Sequence, residues 1–119
     1  ATMDASHDRS YPENLRALDR ERFKRYQLRW ACNTPASFTA SAHTMSAVDL
    51  TPEYAKIKAP TLVIGATHDG LRPPEKAKRV ADAIRGAKYV ECDTGHFMNL
   101  QTPELFVNTI VPFFKGRQM

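Results

Sequence analysis

Residues 60–66, PTLVIGA, constrain the fold more than any other part of the chain. The run is continuously apolar and β-branched, the pattern of a strand covered on both faces rather than one alternating between core and solvent. A second such run, AKYVEC at 87–92, follows the segment EKAKRVADAIRG. In that segment Ala77, Val80, Ala81 and Ile84 form one helical stripe, and Gly86 supplies a left-handed stop. Strand, helix, strand predicts two parallel neighbours joined by a right-handed crossover. Parallel strands this apolar need helices on both faces and further strands beside them, and the chain supplies only these two. An incomplete sheet is therefore expected, finished by another polypeptide or by copies of the chain.

The first fifty residues read as helical. Thr34-Pro35, Thr51-Pro52 and Thr102-Pro103 each predict a helix start, because a threonine hydroxyl can cap a free N–H and proline at the first helical position loses no hydrogen bond. Tyr11-Pro12 predicts a fourth, opening a segment to about Trp30 with a break near Asp19. After Pro35, the stripe Phe38, Ala42, Met45 predicts a helix to about Ala47. A last helix from Pro103 carries Leu105, Phe106, Ile110 and Phe113, and Pro112 is expected to kink or end it.

Composition bears on partners. The 119 residues are 42% hydrophobic and 25% charged with a net charge of +4, as in a globular domain with no acidic partner implied. The basic stretch RALDRERFKRYQLRW mixes arginines with acids and places Phe23, Tyr26 and Trp30 at near-helical spacing, so it reads as a solvated amphipathic helix rather than a nucleic-acid surface. Cys32 and Cys92 lack CxxC or zinc-ligand spacing. No cofactor or metal is expected, free thiols point to a reducing, cytoplasmic setting, and no apolar run approaches the roughly 20 residues that span a bilayer.

In doubly wound sheets functional groups collect in loops beyond the carboxyl ends of the strands. Two such loops carry Asp69, in THDGLRPP, and His96, in CDTGHFMNLQTPE. If the strands are neighbours, the Asp69 carboxylate can accept a hydrogen bond from the His96 ring and fix its tautomer. His68 reads as a loop residue, His43 as structural, and His7 as part of a polar leader without a role. Trp30, Leu71, Phe97 and Met98 are candidates to line a substrate pocket, each equally readable as core. Arg72 and Arg29 read as surface arginines before any role with a substrate carboxylate.

IKAPTLVIGATHDGLRPP, followed by IRGAKYVECDTGHFMNLQTPELFVNTIVPFF, resembles the C-terminal part of an α/β-hydrolase over residues 56–116: a P-T-L-V-I strand, G-x-x-D, a helix, a strand, then G-H and a P-E helix. The helical first half is similar to the lid segment of 3-oxoadipate enol-lactonase-like members. The resemblance implies a helical lid over residues 1–55 and a βαβα core piece over 56–119. It also implies Asp69 as triad acid, His96 as triad base, and an upstream nucleophile, since the family order is Ser, Asp, His. No G-x-S-x-G elbow occurs here, so residue 1 is expected to lie within a longer gene product and an N-terminal polypeptide of the same enzyme to carry the nucleophile. The expected activity is ester or lactone hydrolysis of a small molecule, an enol-lactone first. The alternatives are an acyltransferase of the same fold and a non-catalytic interaction fragment.

Overall fold

The computed structural model describes residues 3–116, so the outermost residues of the two expected segments, 1–2 and 117–119, lie outside the described residues. Five helices fill the first half: α1 Met3–Ser10, α2 Glu13–Leu18, α3 Arg20–Ala31, α4 Pro35–Ala47 and α5 Thr51–Tyr54. The second half runs β1 Leu62–Ala66, α6 Pro74–Ala83, β2 Lys88–Cys92, α7 Met98–Gln101 and α8 Pro103–Lys115. β1 and β2 pair in parallel with Leu62 opposite Lys88 and Ala66 opposite Cys92. No helix among the described residues is long and apolar enough to cross a membrane.

The expected starts hold, with different hydrogen bonds at each. Thr34 caps α4 through its hydroxyl, which accepts the Ser37 N–H at 3.3 Å. At α5 the cap passes to Asp49, whose Oδ1 accepts the Thr51 N–H at 2.9 Å. Hydrogen bonds from Thr51 hold the Asp49 carboxyl below its usual value. The Thr102 hydroxyl pairs with that of buried Thr94 at 2.7 Å and leaves the first turn of α8 uncapped by a side chain. Asp19 does break the segment after Pro12: it ends α2 and caps α3 through the Arg22 N–H.

Three expectations are corrected. Pro112 does not end α8, which continues to Lys115: the ring forfeits the one bond to Asn108 O, a loss the helix carries this near its C-terminal end. His7 lies in a helix and not in a polar leader. It is 1% exposed, with its ring 5.2 Å from Tyr26 and 5.5 Å from Trp30. His43 is exposed on α4, a helix with no buried residue, rather than structural.

Tyr11, Leu15 and Tyr26 form a buried cluster with Phe23, Trp30, Phe97 and Leu100 packed against it, so the helical half meets the second half around α7. Elsewhere apolar surface is open. Leu62, Val63 and Ile64 are only half-buried, and Leu28, Met45, Val107 and Phe114 are exposed. An apolar groove of about 920 Å³ runs along Leu62, Val90, Pro112 and Phe113. These are the strand positions that the sequence marks for cover on both faces.

Residues 1–119 expressed alone are expected to self-associate or to bind a hydrophobic dye. A monomer that melts cooperatively and leaves the dye dark would contradict this. Gly86 lies at φ +78°, and no atom stands within 4 Å of a Cβ built there. Gly86→Ala therefore costs about 1 kcal/mol through backbone strain alone, read as a lower denaturation midpoint of the completed protein.

Candidate active site

Parallel pairing sends the segments after β1 and β2 off the same end of the sheet, and they remain bonded to each other: Thr67 N–H donates to Cys92 O at 3.0 Å and His68 N–H to Thr94 O at 2.9 Å. Asp69 turns back on this platform, its N–H donating to Ala66 O at 3.1 Å. The residue is 8% exposed and both carboxylate oxygens are engaged. Oδ1 accepts the N–H groups of Leu71 and Arg72, each at 2.8 Å, and Oδ2 lies 2.8 Å from His96 Nδ1. Two backbone donors fix the carboxylate plane, so Oδ2 is presented to the ring in one direction. An ionised carboxylate only accepts, so Nδ1 carries the proton, and in the neutral ring Nε2 then keeps its lone pair.

The His96 ring stacks edge-on to Phe97 at 4.7 Å between centroids, and Phe97 leans on Tyr26 at 5.5 Å. His96 with Asp69 borders a cavity of about 360 Å³ whose other walls include Ile64, Ala66, Arg72 and Met98. Among the described residues no hydroxyl or thiol hydrogen-bonds to His96 Nε2. The arrangement can relay a proton at Nε2, with the resulting imidazolium held by Asp69, once a donor is brought to that nitrogen.

Of the candidate pocket residues, Met98 lines this cavity and Phe97 touches the His96 ring. Leu71 contributes its N–H to Asp69 and is half-buried beside it. Trp30 is not brought to the cavity. It packs between His7 and Phe38, each 5.5 Å away between ring centroids. Arg72 is exposed at the cavity rim. Arg29 borders a separate cleft with Arg22 and Arg25 beside Tyr11, whose phenol burial pushes upward in pKa against the pull of Arg22. His68 faces away from the cavity, with Nε2 2.6 Å from the exposed carboxylate of Asp93.

Residues without a sequence signal also shape the site. Arg9 O accepts the Gly70 N–H at 2.9 Å, Ser10 O accepts the His96 N–H at 3.2 Å, and buried Gln101 donates from Nε2 to Ser10 O at 2.7 Å. These contacts join residues 61 to 91 positions apart, and nothing in a local pattern announces them.

No protein-family model matches the chain. Over 60 residues it is 43% identical to pyrrolizixenacetamide deacetylase of Xenorhabdus hominickii, an alignment spanning 50% of this chain and 23% of that protein. The enol-lactonase of Burkholderia xenovorans LB400 superposes with a TM-score of 0.89 at 29% identity, over 94% of this chain and 43% of its own. A hydrolase from Pseudomonas aeruginosa PA01 shares the fold at TM-score 0.84 and 22% identity, over 93% of this chain and 42% of its own. The chain thus spans about a quarter of that curated relative and less than half of these solved structures. In sequence and in fold it resembles the C-terminal part of an α/β-hydrolase, with the two parallel strands, the helix between them and the helices around them that such a part contributes.

Proposed function

We propose that the chain is the C-terminal portion of a serine-type α/β-hydrolase that cleaves a small ester or lactone through an acyl-enzyme, with Asp69 and His96 as acid and base of the triad and residues 1–55 as its lid. The observation that carries this reading is the 2.8 Å contact from His96 Nδ1 to a carboxylate pinned by two backbone N–H groups. A serine supplied by the N-terminal polypeptide would stand at Nε2. Its hydroxyl is barely acidic at neutral pH, so His96 takes the proton as oxygen attacks the carbonyl, returns it to the leaving oxygen, and repeats the sequence with water. Asp69 keeps Nε2 unprotonated before attack and stabilises the imidazolium afterwards.

The deacetylase and the enol-lactonase both support acyl-group hydrolysis. The lactonase favours a cyclic ester, and exposed Arg72 at the cavity rim offers a cation to a substrate carboxylate.

In the completed protein, His96→Ala is expected to abolish nearly all turnover of an activated ester. Asp69→Asn is expected to cost on the order of 10⁴-fold in kcat, because the amide can hold the ring in the wrong tautomer. His68→Ala, which removes only an exposed pair with Asp93, keeps most activity. Normal turnover by the His96→Ala protein would sink the hydrolase reading, and equal losses at His68 and His96 would overturn the assignment of His96, rather than His68, as the histidine the loops present.

A further inference from the structure

The C-terminal end of α1 is built against both loops of the candidate site. The last carbonyls of a helix have no partner within it, and here consecutive ones are taken by the two loops: Arg9 O by the N–H of Gly70, next to Asp69, and Ser10 O by the N–H of His96 itself. Ser10 O has a second lone pair, which receives Gln101 Nε2 at 2.7 Å. The other end of the same amide accepts the Phe97 N–H through Oε1 at 3.1 Å. Gln101 is 4% exposed, and the approach is so close that a Cβ on Gly95 would stand 2.6 Å from Oε1 and 3.0 Å from Pro12 Cδ.

From this geometry we infer that Gln101 is a positioning residue for His96, joining the lid segment at Ser10 to the backbone on the far side of the histidine. The inference rests on the hydrolase reading above. Only an amide satisfies both ends. Methionine fills similar volume without either bond, while an ionised glutamate keeps the bond from Phe97 N–H and sets a second acceptor against Ser10 O at the negative end of α1. Protonated glutamate restores the donor.

The groups that bear on a carboxyl at position 101 come from each neighbouring element. From α3, the Arg22 guanidinium donates to Gln101 O and is shared with Asp19, and the Tyr26 hydroxyl pairs with Ser10 Oγ. His7 lies on α1, and His96 with Asp69 on the loops. Burial and the facing carbonyl outweigh Arg22, whose charge Asp19 already offsets, so the acid form persists upward in pH.

The test uses the completed protein with 4-nitrophenyl acetate, counting active sites by the acyl-enzyme burst. Per site, kcat of Q101M is expected to fall about 10- to 100-fold with little change in KM, the loss that follows from misplacing a base by a fraction of its contact distance. A residue that served stability alone would lower the number of sites and leave kcat per site untouched. For Q101E the ratio of kcat to wild type rises as pH falls from about 8 to about 5.5, as the carboxyl gains its proton and the bond to Ser10 returns. A downfield Nδ1–H proton resonance of His96 is expected in wild type, and it broadens or shifts in Q101M. An unchanged resonance in Q101M, unchanged kcat per site, or a pH-independent Q101E ratio overturns the inference. A wild-type protein without turnover removes the hydrolase reading instead, and the resonance then decides this one by itself.

Discussion

The parallel register of β1 and β2 is the constraint on which the rest depends. It places Ala66 beside Cys92, so both strands end at the same level and the loops that follow leave side by side. An antiparallel pair would have sent them to opposite ends of the sheet. Pairing persists past the strands, through Thr67 to Cys92 and His68 to Thr94, and it brings residues 69 and 96 to a common platform before either side chain contributes. The short Asp69–His96 contact then needs only a carboxylate fixed by its own turn. The N–H groups of Leu71 and Arg72 provide this on one oxygen, leaving the other for the ring.

The same strands also carry an unmet requirement for cover. Fully burying a leucine, valine or isoleucine side chain is worth about 1.5–3 kcal/mol, and Leu62, Val63 and Ile64 stand half-covered together. The stabilisation left unrealised across the three is on the order of 2 kcal/mol, a sizeable part of the ~5 kcal/mol at the lower end of a whole domain's net stability. Two strands of five residues cannot cover themselves, and the apolar groove beside Phe113 lies against the same sheet. The solved relatives, of which this chain spans less than half, carry the additional length that such a sheet calls for.

Much of the backbone was legible because its signals are local. The β-branched runs, the Thr-Pro starts and the stop at Gly86 each act within a few residues, and the structure puts β1, β2, α4 and α6 where those signals lie. The positions of Asp69 and His96 at one edge follow from strand order alone. Features that depend on distant neighbours were not legible. His7 looked like a residue of a polar leader because its own helix is polar, and only contact with Phe23, Tyr26 and Trp30 of α3 makes it core. Trp30 looked suited to a pocket, yet the same cluster draws it away from the cavity. Gln101 carries no pattern, since its two partners lie four and ninety-one residues away.

The contacts of the helical half give it a part in the candidate site beyond covering it. A lid that merely packed over a pocket would meet the core through side chains, and its displacement would change access without moving the base. Here the interface includes main-chain bonds from both loops to successive carbonyls at the end of α1, while the aromatic cluster continues from Tyr26 to Phe97 and on to the His96 ring. Moving α1 by even one ångström would break hydrogen bonds on either side of the Asp69–His96 contact and shift the ring that leans on Phe97. Under the proposed mechanism, lid placement and imidazole placement are then a single degree of freedom. A substrate that settles the lid also settles the base, so binding energy distant from the reacting carbonyl can appear in kcat rather than in KM alone.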